Sequence, residues 1–269
     1  MHVGDLERAL LAAFPASDAE PWDHIGLSVG DRARTVHRVA CALDATYQNV
    51  LSAAEVGAEV LVAHHPVYIS APVSFNPTPG VITPQASAAV WAAIERGVAI
   101  ISLHTNLDRS RAARATLGAR LGGKVIASLE RPADPEATGL GALIDIEPCD
   151  LEELASRTAA AFDTIPRLWD GSAPEHRRIA VMGGSLGDYG ELALEAGASA
   201  IICGEAGYHV CQDLAARGMS VVLLGHDASE LPFADVLMNA VLEAGIDPHD
   251  VIKLPERRQW RSWGEGENL

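Results

Sequence analysis

The sequence has no Cys-x-x-Cys pair, no long apolar run, few aromatics and little positive charge, and each scarcity narrows what it can be. Four cysteines, Cys41, Cys149, Cys203 and Cys211, are scattered through 269 residues. Without paired spacing they suggest neither a thiolate metal knuckle nor a redox motif. Cys41 and Cys203 sit inside apolar runs and are expected to be buried, reduced thiols. No segment approaches the ~20 apolar residues of a membrane span. The stretch from Met1 to Leu11 carries acidic residues where a signal peptide would be basic and then apolar. The expectation is a soluble, cytoplasmic protein with no membrane partner. Lys and Arg number 20 against 36 Asp and Glu, a formal net charge of -16. Such a field repels phosphate backbones, so nucleic acid is disfavoured as a partner. The small basic clusters, Arg177 with Arg178 and the tail residues Arg257, Arg258 and Arg261, read as solvated surface.

What is present is the composition of an ordinary globular chain, 48% hydrophobic and 21% charged, long enough for one large α/β domain or two smaller ones. Strand-length apolar runs alternate with Ala-rich amphipathic stretches, the pattern of an α/β fold. His37–Leu43, Glu59–Ala63 and Val98–Leu103 read as strands, and Gln48–Val56 and Pro84–Arg96 as helices. Leu140–Ile146 reads as a further strand. A helix from Asp150 to Phe162 follows it, with Asp150 placed to cap the first turn and Glu153 three residues on.

The sequence also repeats itself once. Arg38-Val-Ala-Cys aligns with Arg178-Ile-Ala-Val at an offset of 140. At the same offset Ala53-Ala-Glu-Val-Gly-Ala58 lies on Ala193-Leu-Glu-Ala-Gly-Ala198, and Leu61-Val-Ala-His64-His65 lies on Ile201-Ile-Cys-Gly204-Glu205. Further on, Ala99 to Asp108 matches Val221 to Glu230 at an offset of 122. The drop implies extra residues in the first half, and the Pro-rich stretch Pro66 to Pro84 is where they would go. The reading is two halves, residues 1–122 and 123–269, each running strand, helix, strand, helix, strand, with the segment after about residue 231 free to pack back on the first half.

In open α/β sheets ligands collect beyond the carboxyl ends of the strands. His64, His65, His104, Asp108, His226 and Glu230 all fall at or just after such ends. His64 and His65 are adjacent, so on an extended strand they point to opposite faces, and both reach one centre only where the backbone bends. Pro66 favours that exit. His104-x-x-x-Asp108 and His226-x-x-x-Glu230 repeat one spacing at equivalent positions, and a helical turn there would put imidazole and carboxylate on one face. Imidazoles and carboxylates without thiolate suit Zn, Mn, Fe or Ni. Asp108 and Glu230 are the natural bridging groups. Helix capping by the acidic residues is the plainer alternative. His2, His37, His176 and His249 read as ordinary histidines, and His209 as either that or a substrate contact. Gly183-Gly184-Ser185-Leu186-Gly187 reads as a tight turn in preference to an anion cradle.

At these residues the chain resembles the Nif-three-like dinuclear-metal family, whose members are often labelled GTP cyclohydrolase type 2 homologues. The resemblance rests on Trp22-Asp23-His24 through Gly30, His64-His65-Pro66, Ser102 through Asp108, Gly183-Gly184-Ser185, Gly204-Glu205 with Tyr208-His209, and Gly225-His226 through Glu230. It implies two related α/β/α halves in a Nif-three-like fold, a metal site in the cleft between them, and a toroidal homohexamer. It places two divalent metal ions (Zn, Fe or Mn) on His64, His65, Asp108, His226 and Glu230, with His104 beside them for proton transfer. The chain departs from the family pattern at His24, where Asn is usual, at Gly207, where Lys is usual, and at Asp227, where an aromatic is often found. Losing that Lys and gaining Asp227 argues against a triphosphate and for a small neutral or cationic substrate.

The leading expectation is a metal-dependent hydrolase of a carbon–nitrogen bond, an amide, cyclic amide or amidine of a small molecule. His104 and Glu230 would be catalytic, and His24 and His209 substrate contacts. The alternatives are ring opening of GTP and a metal-binding or regulatory module without turnover.

Overall fold

Strands and helices alternate along the chain as the apolar runs predict. The computed structural model describes residues 1–255 and 258–260, so Arg257 and Arg261 lie outside the described residues. The first stretch forms α1 (Val3–Ala13), β1 (Gly26–Val29), β2 (Val39–Asp44), α2 (Tyr47–Glu55), β3 (Val60–His65), α3 (Gln85–Arg96), β4 (Ala99–Ser102) and a single turn, α4 (Thr105–Asp108). The middle forms α5 (Arg111–Arg120), β5 (Lys124–Ala127), β6 (Ala142–Cys149), α6 (Leu151–Phe162), β7 (Arg167–Trp169), β8 (His176–Val181), α7 (Tyr189–Glu195), β9 (Ala200–Cys203), α8 (Tyr208–Ala216) and β10 (Ser220–Leu223). A second single turn, α9 (His226–Glu230), leads to α10 (Phe233–Glu243) and β11 (Val251–Lys253).

Two compact units result, residues 1–107 with 233–255, and residues 108–232 with 258–260. The sequence repeat alone put the division at residue 122. In the structure α5 packs on β5 and β6, so residues 108–122 go with the second unit. The first unit holds a five-stranded sheet in the order β1-β4-β3-β2-β11, the second a six-stranded sheet in the order β5-β6-β8-β9-β10-β7.

Each sheet has a parallel heart, β2-β3-β4 in one and β8-β9-β10 in the other; β1 is added antiparallel outside the first and β11 parallel, while β5-β6 and β7 are added antiparallel outside the second. Strands β3, β4 and β9 are buried almost throughout, which is why they read as continuous apolar runs without alternation. Leu61, Ile100 and Val50 anchor one core, and Ile201, Leu143 and Val221 the other. Each such side chain contributes about 1.5–3 kcal/mol when fully buried. Helix starts are set locally: Thr46, Ser110 and Asp150 accept backbone N–H bonds from Asn49, Ala113 and Glu153, satisfying first-turn donors. Helix α3 stops at Gly97, whose φ of 67° is the left-handed cap.

The repeat is visible in the strand register. Val39 faces Val60, and Ile179 faces Ala200, both at the offset of 140. The third strands correspond at 121 (Ala99 facing Val60, Ser220 facing Ala200), one less than the histidine motifs. The second half therefore spends one more residue between strand and imidazole, and Gly225 stands there with a φ of 92°. The extra residues of the first half do lie at 66–84, which join β3 to α3, where 204–207 suffice to join β9 to α8. After α9 the chain returns to the first unit: α10 packs on β2 and β3, and β11 adds in parallel beside β2.

All four cysteines are free and buried. Burial raises the Cys41 and Cys203 thiols to about 12. Among the described residues no helix is long and apolar enough to cross a membrane.

Candidate metal centre

In the first unit β3 keeps extended pairing through His65, which faces Asp44 at the end of β2. Pro66 then ends the ladder. The two imidazoles do converge there, with ring centres 5.0 Å apart and planes tilted by 47°. His64 is fully buried, and its Nδ1 lies 2.9 Å from the Leu103 carbonyl oxygen. A carbonyl only accepts, so Nδ1 carries the proton and Nε2 the lone pair. His65 Nδ1 sits 2.7 Å from Asp44 Oδ1, and His104 Nδ1 sits 2.9 Å from Asp23 Oδ1. The His104 ring is 5.3 Å from that of His64 and 5.6 Å from that of His65. One ring nitrogen from each of the three lies within 4.8 Å of the others, a spacing that could hold a metal ion. Phe233 packs edge-on against His64 at 5.2 Å.

Asp23 also accepts from the Thr105 N–H and hydroxyl. Burial pushes its carboxyl up, but the bonds from His104 and Thr105 outweigh that and hold it at about 2. It stays ionised and fixes the His104 ring.

The second unit presents a different donor set. Helix α9 is the expected single turn, and it brings His226 Nε2 to 3.2 Å from Glu230 Oε2. The Glu230 carboxylate is buried, and a carboxylate oxygen of Asp108 lies within 4.8 Å of it. His226 Nδ1 is 2.9 Å from Glu205 Oε1, which also accepts from the Ser185 hydroxyl at 2.7 Å. The bonds from Ser185 and then His226 lower the Glu205 carboxyl against a smaller opposing effect of burial. Ser229 ties the turn down, donating to the His226 carbonyl and accepting from Gly184 N–H.

Two glycines press the backbone onto this turn. A Cβ at Gly184, where φ is +62°, would stand 2.5 Å from Glu230 Oε1, and one at Gly204 would stand 2.7 Å from the Gly184 carbonyl oxygen. The N–H groups of Gly204 and Glu205 both go to that same oxygen, and Leu186 N–H goes to Glu205 O. Within the Gly183–Gly187 loop, the Gly184 and Leu186 N–H groups are thus taken up by Ser229 and Glu205.

Four imidazoles, on His64, His65, His104 and His226, share one arrangement: Nδ1 is held by a carbonyl or carboxylate oxygen. This is how metal-ligating histidines are oriented, and the all-nitrogen-and-oxygen donor set fits divalent Zn, Fe or Mn. The orienting partners Asp44, Asp23 and Glu205 had no role assigned from the sequence. Asp23 and Glu205 stood inside quoted motifs, whereas Asp44 has no repeat counterpart, Gly184 occupying its place.

The expected substrate contacts are both on the surface. His24 is exposed with its ring 5.7 Å from Tyr68. His209 is exposed beside Tyr208 at 5.3 Å, and Tyr208 in turn stacks edge-on to Trp169. A cavity of about 680 Å³ opens in the second unit, with Glu205, His226, Arg167, Arg258 and Trp260 in its wall.

One expectation about charge needs correction here. Asp227 is buried, and its carboxylate accepts the N–H groups of Ala228, Gln259 and Trp260, so it latches the tail and leaves the cavity without an open anionic group at that position. Arg258 is exposed, as expected, and its guanidinium donates to the Phe162 carbonyl and pairs with Asp163 at 3.2 Å.

Repeated α/β halves carrying imidazole and carboxylate groups at strand ends define a class of protein in which both halves bring potential metal donors. The chain belongs to the Duf34/NIF3 (NGG1p interacting factor 3) family, whose model matches residues 1–253. It is 31% identical over 246 residues to a Streptomyces coelicolor protein named GTP cyclohydrolase 1 type 2 homolog, spanning 87% of this chain and 83% of that one. A Clostridium perfringens protein of the same name is 28% identical over 236 residues, spanning 86% and 88% of the two chains. The crystal structure of the Staphylococcus aureus protein SA1388 matches with a TM-score of 0.85 at 23% identity, covering 97% of this chain and 99% of that one, which establishes the fold.

Proposed function

We propose that the two donor sets serve one dinuclear centre, and that the protein is a metal-dependent hydrolase of a carbon–nitrogen bond in a small amide, cyclic amide or amidine. The observation that carries this reading is the common arrangement of the four imidazoles, with Nδ1 tied to an oxygen acceptor in each. Chain connectivity supports joining the sets. The polypeptide passes from the first unit to the second between His104 and Asp108 of one motif, and back again just after Glu230. Glu230 is three residues from Phe233, hence within roughly 11 Å of it along even a fully extended chain, and Phe233 touches His64.

His64, His65, Asp108, His226 and Glu230 would hold two divalent cations, Zn, Fe or Mn, with Asp108 and Glu230 able to bridge. When bound, such a pair supplies Lewis-acid polarisation and a nucleophile derived from water at neutral pH. His104, fixed by ionised Asp23, moves a proton at Nε2 toward the leaving nitrogen. His24 and His209, both exposed, are proposed to meet the substrate. A cytoplasmic toroidal homohexamer completes the proposal; the exposed Val73, Val81, Ile82 and Ile94 of the first unit offer apolar surface for subunit contact.

The test is hydrolysis of an amide, cyclic amide and amidine panel by metal-loaded protein. Glu230→Gln should abolish turnover while leaving the fold intact, and full turnover in that variant would contradict the scheme. Arg167 and Arg258 in the cavity wall favour a second reading, ring opening of GTP, which the relatives' printed name suggests. Formate release from GTP decides it.

A further inference from the structure

We infer that the cavity beside His226 is a subsite for a planar aromatic group bearing an oxyanion, read by Arg167 and covered by the tail segment 258–260. The inference rests on the hydrolase reading only for where the scissile bond would lie.

The pairing of charges in the wall leaves one cation open to an anion. Two guanidinium groups, Arg167 and Arg258, and three carboxylates, Asp163, Glu205 and Asp227, line the cavity. Every carboxylate is committed. Asp163 pairs with Arg258. Glu205 accepts from Ser185 and engages His226. Asp227 accepts from Ala228 N–H at 2.9 Å on one oxygen and from Gln259 N–H at 2.7 Å on the other. Arg167 is left, among the described residues, without an ion-pair partner. In a chain of net charge -16, a guanidinium in a concave wall whose carboxylates are all engaged elsewhere is set for a ligand's anion. Its planar fork matches carboxylate or phosphate oxygens in bidentate fashion.

The rest of the wall specifies a flat apolar body. Ile165, Leu223 and Leu224 line it, and the Trp260 indole is 71% exposed. Indole faces stack on planar rings and exchange no hydrogen bond in doing so. The volume of about 680 Å³ suits a ligand of one or two fused rings with a substituent. Trp260 is positioned by Asp227, the residue after His226, so one helical turn supplies both the cavity's imidazole and the tail's latch. A ring seated on Trp260 with its oxyanion at Arg167 would lie beside His226.

The full chain, as purified, would be titrated calorimetrically with 2-naphthoate, 2-naphthylphosphonate and uncharged 2-acetylnaphthalene. Either oxyanion should bind at least about tenfold more tightly than the ketone, and the tighter of the two names the group. Arg167→Gln should erase that preference, and Trp260→Ala should weaken all three probes about equally. Equal affinity for charged and uncharged probes, or a preference that survives Arg167→Gln, would overturn the inference. Metal content, measured on the same samples, separates the two ideas. Protein without metal would sink the dinuclear reading and leave the probe result standing, whereas a normal metal load with no Arg167 dependence would sink the subsite alone.

Discussion

Asp44 Oδ1 holds Nδ1 of His65 at 2.7 Å, at the register position where β2 and β3 end side by side. One repeat length on, Glu205 stands where His65 does, and it holds the imidazole of His226 in the same manner at 2.9 Å. Gly184 stands where Asp44 does, kept bare so that the Glu230 carboxylate can approach. The duplication preserved the backbone and redistributed the chemistry, giving imidazoles to one half and mostly carboxylates to the other.

Asp44→Asn should keep the fold but loosen His65, because the amide carries no charge to support the ring. Loss of such an orienting carboxylate weakens metal affinity about 10–100-fold. Competition against a coloured chelator reads it, with far-UV circular dichroism as the control. Unchanged affinity would remove Asp44 from the account.

Gly184→Ala inserts a methyl group 2.5 Å from Glu230 Oε1 at a φ of +62°. The strained backbone and displaced carboxylate should cost about 1–3 kcal/mol and reduce bound metal. Urea unfolding and elemental analysis together check it. A normal metal load in a stable variant would show that Glu230 needs no such approach.

The thiols give an independent check on the cores. Cys41 and Cys203, raised to about 12 by burial, should resist an aromatic disulfide reagent in the native protein at neutral pH and react only on unfolding. Rapid labelling of either in the folded chain would mean the sheets are less well packed than described.

Much of this was legible beforehand, and the reasons are particular. The strands β2, β3 and β4 announce themselves because parallel strands buried on both faces read as unbroken apolar runs. The His-x-x-x-acid motifs were readable because one helical turn sets their spacing, and the structure shows that turn in both α4 and α9. Strand β1, only four residues long and antiparallel at an edge, carries too little pattern to be seen. Asp44 was invisible as a partner because its role depends on which strand lies next to β2. Asp227 was misread for a related reason: residue type gave its charge, but only the fold shows that Gln259 and Trp260, over thirty residues on, take up its oxygens.

Glu7 provides the pH dependence. It accepts from Leu27 N–H and from Arg32 at 2.7 and 2.9 Å. Burial pushes its carboxyl up, yet the Arg32 and Leu27 bonds win and hold it below the usual 4.5. A depressed carboxyl stabilises the fold above its unfolded value and loses that contribution as pH falls through the folded one. Because Arg32 is largely exposed, Glu7→Gln should cost only about 1–2 kcal/mol at neutral pH, with the gap to wild type closing in acid. Parallel unfolding curves with a constant gap across the acid range would refute the linkage.

The central claim is that His64, His65, Asp108, His226 and Glu230 gather a pair of divalent cations. Anomalous diffraction at the zinc and iron edges, on crystals of protein grown with both metals, tests it most directly. The account predicts two peaks per chain, each ringed by these side chains. A map without a peak there, from metal-supplemented protein, would contradict it.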